Sequence, residues 1–259
     1  MERWVKTRDD APAGFFAAEA AGLSGCSIED TQMVDGNPAY AFDLAVDRIR
    51  AAADAARSLG RPFILCARAD GVIAATHDAG APAFGAPPPG WAGDIFIGRR
   101  TQPARPEPTW GAFYAAQRVA PFLAPAVAAG NLSASAAEIV RRACALIARG
   151  AFDDDDAPAR LHGDLWSGNV LWSAAGVVLI DPAAHGGHRE TDLAMLALFG
   201  CPFLDRILAA YDLRHPLRPG WRERVPVHQL HPLAVHAAGH GPAYGDELVD
   251  AAERTLALV

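Results

Sequence analysis

Hydrophobic positions recur at helical spacing through most of the second half of the chain and give way to short apolar runs at a few points. That pattern predicts a helix-rich body with small strands set into it. Thr109 is suited to capping a helix that continues through Trp110, Phe113, Tyr114, Arg118 and Phe122. Residues 135–149 predict another, with Ile139, Cys144 and Leu146 apolar and Gly150 closing it. Beyond Asp192 the spacing is helical again over Leu193, Leu196 and Leu198, over Leu204, Ile207 and Leu208, and over 230–237 and 248–258. Between these lie two apolar runs, 169–172 and 177–180, around a Ser173-Ala-Ala-Gly176 turn, which predicts a hairpin. Pairing Trp172 with Val177 sets Asn169 opposite Ile180.

The first third is patterned differently. Residues 3–7 read as a short strand bearing Lys6, and 13–23 as a helix with Phe15, Phe16 and Leu23 on its apolar side and Glu19 within it. Residues 25–30 read as a buried strand ending in Glu29 and Asp30, and 33–39 as a loop. Phe42, Ala45, Val46, Ile49, Ala53 and Ala56 then mark a helix, and 62–66 a short apolar strand, completing a strand-helix-strand unit. Residues 81–108 are rich in proline and glycine, which predicts an extended surface segment without regular structure. Four successive aspartates, Asp153 to Asp156, predict a solvated loop.

Composition narrows the function. About half the residues are hydrophobic and a fifth charged, as in ordinary globular chains. No stretch reaches the ~20 apolar residues of a membrane span, and the charged first ten residues do not resemble a secretory signal, so the expected location is cytoplasmic. Four scattered cysteines form no metal-ligand or disulfide pattern. The net charge of −7 argues against a nucleic-acid partner, because phosphate backbones are bound by excess Lys and Arg. Any phosphate handled here must be met locally.

One stretch has the spacing to meet a phosphate in this way. It is Leu161-His-Gly-Asp164-Leu-Trp-Ser-Gly-Asn169, followed by Val177-Val-Leu-Ile-Asp181-Pro. Phosphoryl transfer requires a protein to orient an attacking hydroxyl, take its proton and hold Mg2+ against phosphate oxygens. Asp164, on a turn tightened by Gly163, suits the hydroxyl. Asn169, five residues on, has the Asp-x-x-x-x-Asn spacing of a kinase catalytic loop. The hairpin register brings Asp181 to the same edge as Asn169, giving a carboxylate and an amide oxygen for a hard cation. Asp192, in Gly187-His-Arg-Glu-Thr-Asp192-Leu, is expected to start the next helix as a cap and to brace the loop.

These motifs, together with Asp181-Pro-Ala-Ala-His185-Gly-Gly-His-Arg-Glu-Thr-Asp192, Pro87-Pro-Pro-Gly-Trp91, Pro108-Thr-Trp110-Gly-Ala-Phe-Tyr114, Gln117-Arg118 and His228-Gln-Leu-His-Pro232, resemble the fructosamine kinase (ketosamine-3-kinase) family. That family is similar in fold to aminoglycoside phosphotransferases. The resemblance implies an α+β, protein-kinase-like fold of two lobes. It also implies ATP-dependent phosphorylation of a sugar hydroxyl on a glycated amine, with Asp164 as base and Asn169 and Asp181 as Mg2+ ligands. Trp110, Tyr114, Trp166 and His185 are its candidates for the sugar pocket. At the front, Val5-Lys6-Thr-Arg and Ala11-Pro-Ala-Gly-Phe-Phe-Ala-Ala-Glu19 resemble the family's phosphate-contacting lysine and its pairing glutamate. The strands and glycine-rich loop that precede such a lysine are not there.

Residues 25–71 instead resemble a fragment of the isocitrate lyase and phosphoenolpyruvate mutase family, carried by Gly25-Cys-Ser-Ile-Glu-Asp30, Phe42-Asp-Leu-Ala-Val-Asp-Arg-Ile and Pro62-Phe-Ile-Leu-Cys66. The expected organisation is thus a reduced, rearranged N-terminal lobe over 1–75 and a mainly helical catalytic lobe over 76–259. Two other readings stand beside the fructosamine kinase one: a kinase-fold protein that no longer grips ATP, and a kinase for another small hydroxyl substrate such as an aminoglycoside.

Overall fold

The computed structural model describes the backbone and side chains of residues 69–172 and 177–259, together with the backbone of 4–5, 31–34, 37–42, 62–68, 173 and 176. Lys6, Glu19, Glu29 and Asp30, the helix expected over 13–23, the strand expected over 25–30 and, apart from Phe42, the helix expected over 42–56 lie outside the described residues; Phe42 ends a strand, Asn37–Phe42, and does not start a helix. The strand expected near the start is present as β1 (Trp4–Val5). It pairs antiparallel with β3 (Asn37–Phe42), which also pairs with β2 (Thr31–Val34). Residues 33–39 are therefore mostly strand rather than loop. Val34 lies opposite Asn37, so only Asp35 and Gly36 link the strands, and Asp-Gly between two such runs is a hairpin signal.

The strand expected over 62–66 is instead the first turn of a helix, α1 (Pro62–Asp78). Proline is at home at a helix start, where its missing N–H has no partner to lose. A five-residue apolar run does not separate strand from buried helix. The register continues through Ala69, Ile73, Ala74 and His77, all buried. Residues 81–108 do run along the body, held by Gly85 N–H to Gly186 O at 2.7 Å and Gly186 N–H to Ala86 O at 2.8 Å. They also contain regular structure that the composition hid: β4 (Ile95–Ile97) and β5 (Arg100–Gln102) form a hairpin. Its two-residue turn is Gly98-Arg99, with Gly98 at φ +56°, a conformation natural to glycine.

Thr109 caps α2 (Trp110–Phe113) as expected, accepting the Ala112 N–H. The helix then widens over Tyr114–Val119 into i→i+5 turns before resuming as α3 (Ala120–Ala128). Ser133 caps α4 (Ala134–Ala148), and Gly150 follows its end. β6 (Ala159–Leu161) pairs with β9 (His185–Gly187), and the hairpin of β7 (Val170–Ser173) and β8 (Gly176–Leu179) lies between them in sequence. Four helices complete the chain: α5 (Glu190–Phe199), α6 (Leu204–Arg214), α7 (Trp221–Ala237) and α8 (Pro242–Leu256).

Two apolar cores result. One joins α2 through α4 with α7 and α8, around Phe113, Val119, Val140, Leu230 and Leu248. The other seats the β7–β8 hairpin on α1, α5 and α6 through Ile73, Leu165, Leu179, Leu193 and Ile207. Helix α7 contains Pro226 and Pro232, and a proline inside a helix leaves the carbonyl four residues back without its donor. Tyr114 repairs the second break. Its hydroxyl donates to His228 O at 2.7 Å and accepts the His231 N–H at 3.1 Å. Helices α2 and α7 are thus tied by a side chain standing in for a missing peptide N–H.

Helix contact at the start of α2 is close enough to require glycine. A Cβ on Gly111 would collide with Ile147 O of α4 and approach Asp153, whose Oδ1 accepts the Gly111 N–H at 2.7 Å. Gly111→Ala is expected to lower stability by about 1–3 kcal/mol through overpacking. Gly130→Ala, where a Cβ meets nothing within 4 Å but φ is +72°, is the strain-only control. Urea unfolding midpoints of the two variants check this, and an equal effect in both contradicts the packing explanation.

Candidate active site

The hairpin has the register expected from the sequence: Trp172 faces Val177 and Val170 faces Leu179. The pairing extends one step further, because Ile180 N–H donates to Asn169 O at 3.1 Å. Asn169 and the residue before Asp181 are therefore neighbours across the hairpin mouth. Asn169 sits on a tight turn, Ser167–Asn169, and its Nδ2 donates to Asp164 O at 2.8 Å and lies 3.3 Å from Asp164 Oδ2. The amide is buried, so this bond fixes which way its Oδ1 faces. A single turn thus joins Asp164 to Asn169, and a single hairpin brings the backbone leading into Asp181 beside Asn169.

His162 joins the two acids. Its Nδ1 accepts the Asp164 N–H at 3.3 Å and its Nε2–H donates to Ile180 O at 2.8 Å, immediately before Asp181. Burial, partly opposed by the Asp192 charge, holds its pKa below the ordinary value, which suits the neutral ring that this bonding needs. Asp181 itself is at φ +55°. That left-handed conformation costs a non-glycine residue about 1–3 kcal/mol and is held only where surroundings impose it. Gly163, at φ +78°, is required by contact as well, since a Cβ there would strike Ala183 O.

Asp192 does brace this loop, though it is not the helix cap. Position 189 begins α5 without a side-chain cap, and Asp192 lies inside the first turn. Its Oδ2 accepts the His162 N–H at 2.7 Å and its Oδ1 the Gly163 N–H at 2.9 Å. From α1, His77 Nε2–H donates to the same Oδ2 at 3.1 Å, and His77 Nδ1 meets the Tyr211 hydroxyl of α6 at 2.7 Å. Burial works against the carboxylate's charge, but the His77 bond, nearby His162 and the Gly163 N–H outweigh it and hold its pKa below the ordinary range.

The aspartate run is not the solvated loop expected. Asp153 caps α2, Asp154 pairs with His188 Nε2 at 3.2 Å and Arg218 at 3.3 Å, and Asp156 pairs with Arg189 Nε at 2.7 Å. Only Asp155 of the four is largely exposed. Behind them Glu190 pairs with Arg224 at 2.6 Å and accepts from His228 Nε2–H at 3.3 Å. Groups of metal-ligating type do meet here, as His188, Glu190 and His228 and as Asp154, Asp156 and His188. Arginines already match each of these acids, so the network needs no cation. It fixes the start of α5, and with it Asp192.

A cavity of about 720 Å³ opens beside Asp164. Its walls are the β4–β5 turn with Gly98, Arg99 and Arg100, Phe199 at the end of α5, His236 in the last turn of α7, His240 beyond it, and Tyr244 of α8. Trp166 completes the wall and is 41% exposed. Of the four aromatic candidates it alone lines the cavity. Trp110, Tyr114 and His185 are 2%, 1% and 2% exposed and belong to the core. Trp110 stacks on Tyr114 at 4.7 Å, Tyr114 mends α7, and His185 accepts from buried Arg118 at 3.3 Å. Large aromatic side chains at helical spacing gain most by burial, and Trp110 and Tyr114 follow that preference. The β4–β5 turn was missed, although Gly-Arg between Ile95-Phe-Ile97 and Arg100-Thr-Gln102 has the form of a hairpin turn.

Two outcomes follow from these groups. Asp192→Ala leaves two buried N–H groups and His77 without their acceptor and is expected to cost about 3 kcal/mol or more, read as a shift in urea midpoint. An effect under about 1 kcal/mol contradicts the bracing role. The second concerns pH. Burial lowers the pKa of His162, His185 and His231, and holds His228 at about 4 against an ordinary 6.5. The unfolded chain then binds protons first as pH falls below 6.5, so stability drops. Glu190, held at about 2 by His228 and Arg224 against the pull of burial, and Asp192 act in the same direction at lower pH. Their contributions are complete above the ordinary carboxylate range and vanish as pH falls through the depressed values. Between pH 7 and pH 5 the loss from a histidine shifted like His228 is about 2 kcal/mol, and an unchanged unfolding midpoint over that interval contradicts the assignment.

Comparison with known proteins identifies the family. The family model for fructosamine kinase matches residues 71–258, and that for phosphoenolpyruvate phosphomutase matches residues 7–83. The second match is longer than the 25–71 expected and overlaps the first. The chain is 30% identical to a "Probable ketoamine kinase" of Enterococcus faecium over 95% of its own length and 84% of the relative's. It superposes on the crystal structure of an assigned fructosamine-3-kinase from Thermobifida fusca with a TM-score of 0.78 at 42% identity, covering 96% of this chain and 83% of that one. A choline/ethanolamine kinase family protein from Mesorhizobium loti matches at TM-score 0.54 and 16% identity over 98% and 84% of the two chains, a likeness of fold alone. No helix among the described residues is long and apolar enough to cross a membrane. A family model covering most of the chain, a relative matched along most of its length and a superposable structure agree, and the chain belongs to the fructosamine kinase family of small-molecule kinases.

Proposed function

We propose that this protein transfers the γ-phosphoryl group of ATP to a sugar hydroxyl of a ketosamine, with Asp164 as the base and Asn169 and Asp181 as ligands of Mg2+. The observation that carries this reading is the bond from Asn169 Nδ2 to the Asp164 carbonyl, combined with the hairpin bond from Ile180 N–H to Asn169 O. Together they gather a proton acceptor and two oxygen donors at one hairpin mouth. The acceptor hydroxyl sits against Asp164. Its oxygen bonds to the γ-phosphorus as the bond to the β–γ bridging oxygen breaks, ADP leaves, and the hydroxyl proton passes to the Asp164 carboxylate.

The donor set fits magnesium. An amide oxygen and a carboxylate are hard ligands of the type Mg2+ takes, and Asn169 has its Nδ2 committed to Asp164, so Oδ1 is the atom it offers. Bound there, the ion would neutralise charge on the phosphate oxygens. The protein's own contribution is positional: His162 fixes the backbone on either side of the acids and Asp192 fixes His162. By family resemblance Lys6 is the proposed phosphate-contacting lysine and Glu19 the acid that pairs with it, within a reduced N-terminal lobe over residues 1–75 set before a catalytic lobe over 76–259. A cytoplasmic location, where ATP is at hand, belongs to the same reading.

Asp164→Asn is expected to lower kcat by about 10²–10⁴ while leaving the unfolding midpoint in place. The measurement is transfer of labelled phosphate from ATP to a fructosyl amine; retained turnover shows that another group takes the proton. Mg-ATP at about 100 times its dissociation constant is expected to add about 2.7 kcal/mol to stability, in the variant as in the parent. No shift in either protein supports the reading in which ATP is no longer bound.

A further inference from the structure

The cavity beside Asp164 has a charge pattern that the transfer chemistry does not require. Arg99 and Arg100 line it from the β4–β5 turn, and Asp164 is the one carboxylate among its described lining residues. His236 adds no charge near neutral pH, because burial and the neighbouring His240 lower its pKa. Arg100 is fixed in place: its Nη2 donates to Ala238 O at 2.6 Å. Gly239 makes room for it, since a Cβ there would collide with the guanidinium. Arg99 occupies the exposed second position of the turn.

These cations do not belong to the nucleotide side. Asp164 lines the cavity, whereas Asn169 and Asp181, the groups proposed to face the phosphates, do not. The opposite wall is α7 and α8, with His236 and Tyr244 stacked at 4.9 Å. The space of about 720 Å³ is of the size that takes a small molecule and not a folded protein.

Resting on the ketosamine kinase reading above, we infer that the preferred acceptor is a low-molecular-mass ketosamine bearing a carboxylate, a glycated free amino acid, with its sugar at Asp164 and its carboxylate at Arg99 and Arg100. A planar guanidinium has the donor geometry to grip a carboxylate through two parallel bonds. The acceptor's own amine is cationic, so a carboxylate-bearing acceptor presents one charge of each sign. That matches a cavity lined by both an acid and two arginines. A glycated side chain of a protein offers the amine without the carboxylate.

The test is steady-state kinetics with saturating Mg-ATP on two acceptors that differ in one group, fructosyl-glycine and fructosyl-glycinamide. The expected result is a kcat/KM about tenfold higher for the carboxylate, residing in KM. In Arg99→Ala the ratio is expected to fall to within about threefold of unity, and in Arg99→Lys to recover in part. Equal use of the two acceptors by the unaltered protein overturns this inference while leaving the kinase reading intact. So does an Arg99→Ala variant whose defect is a raised KM for Mg-ATP with the acceptor ratio unchanged. No turnover of either acceptor removes both readings together.

Discussion

One buried carboxylate organises the site. Asp192 is almost wholly removed from water, and its two oxygens accept the N–H groups of His162 and Gly163 while His77 donates from another helix. A buried charge is tolerable only when its lone pairs are filled, and here three donors from two separate elements fill them. The consequence is rigidity where it matters. With the His162 and Gly163 backbone fixed, the next residue is Asp164, and with the His162 ring fixed by its own two bonds, Ile180 and Asp181 are placed as well. The loop's geometry is thus set from behind, by groups that need not touch a substrate.

The Asp164 loop and the hairpin were legible in the sequence because short-range geometry determines them. Five residues of spacing, a glycine at a tight turn and a four-residue link between apolar runs leave few ways to arrange Asp164, Asn169 and Asp181. The register, Trp172 opposite Val177, followed from that link alone. Asp192 was legible as a brace but not as a buried acceptor, because its partners come from residues thirty positions back and from α1. Long-range partners are where a single sequence carries least. Asp153, Asp154 and Asp156 read as a charged loop because arginines at 189 and 218, which match two of them, are remote in the chain.

The aromatic residues show the same limit from the opposite side. Trp110 and Tyr114 lie four apart on one helix face, which fits a pocket wall and a core equally well. What decides between them is Pro232, more than a hundred residues away. It strips His228 O of its helical donor and leaves a carbonyl that the Tyr114 hydroxyl then satisfies. A hydroxyl whose proton is committed to a backbone carbonyl, on a side chain 1% exposed, has neither a donor nor access to offer a sugar. Trp166, in contrast, lies over Gly168, the glycine that leaves room for its ring, and keeps an exposed face toward the cavity.

Helix α1 is where two resemblances meet in one element. The phosphoenolpyruvate phosphomutase match runs to residue 83 and the fructosamine kinase match begins at residue 71, so both include the helix's second half. That half carries Ile73, Ala74 and His77 into the core beneath the hairpin. The second half of the helix must present a small apolar face and one imidazole at a set height against Asp192, and α6 fixes that height through Tyr211. A helix of any ancestry that keeps this register can serve. Likeness to another family before residue 71 is thus compatible with a kinase site whose bracing depends on His77.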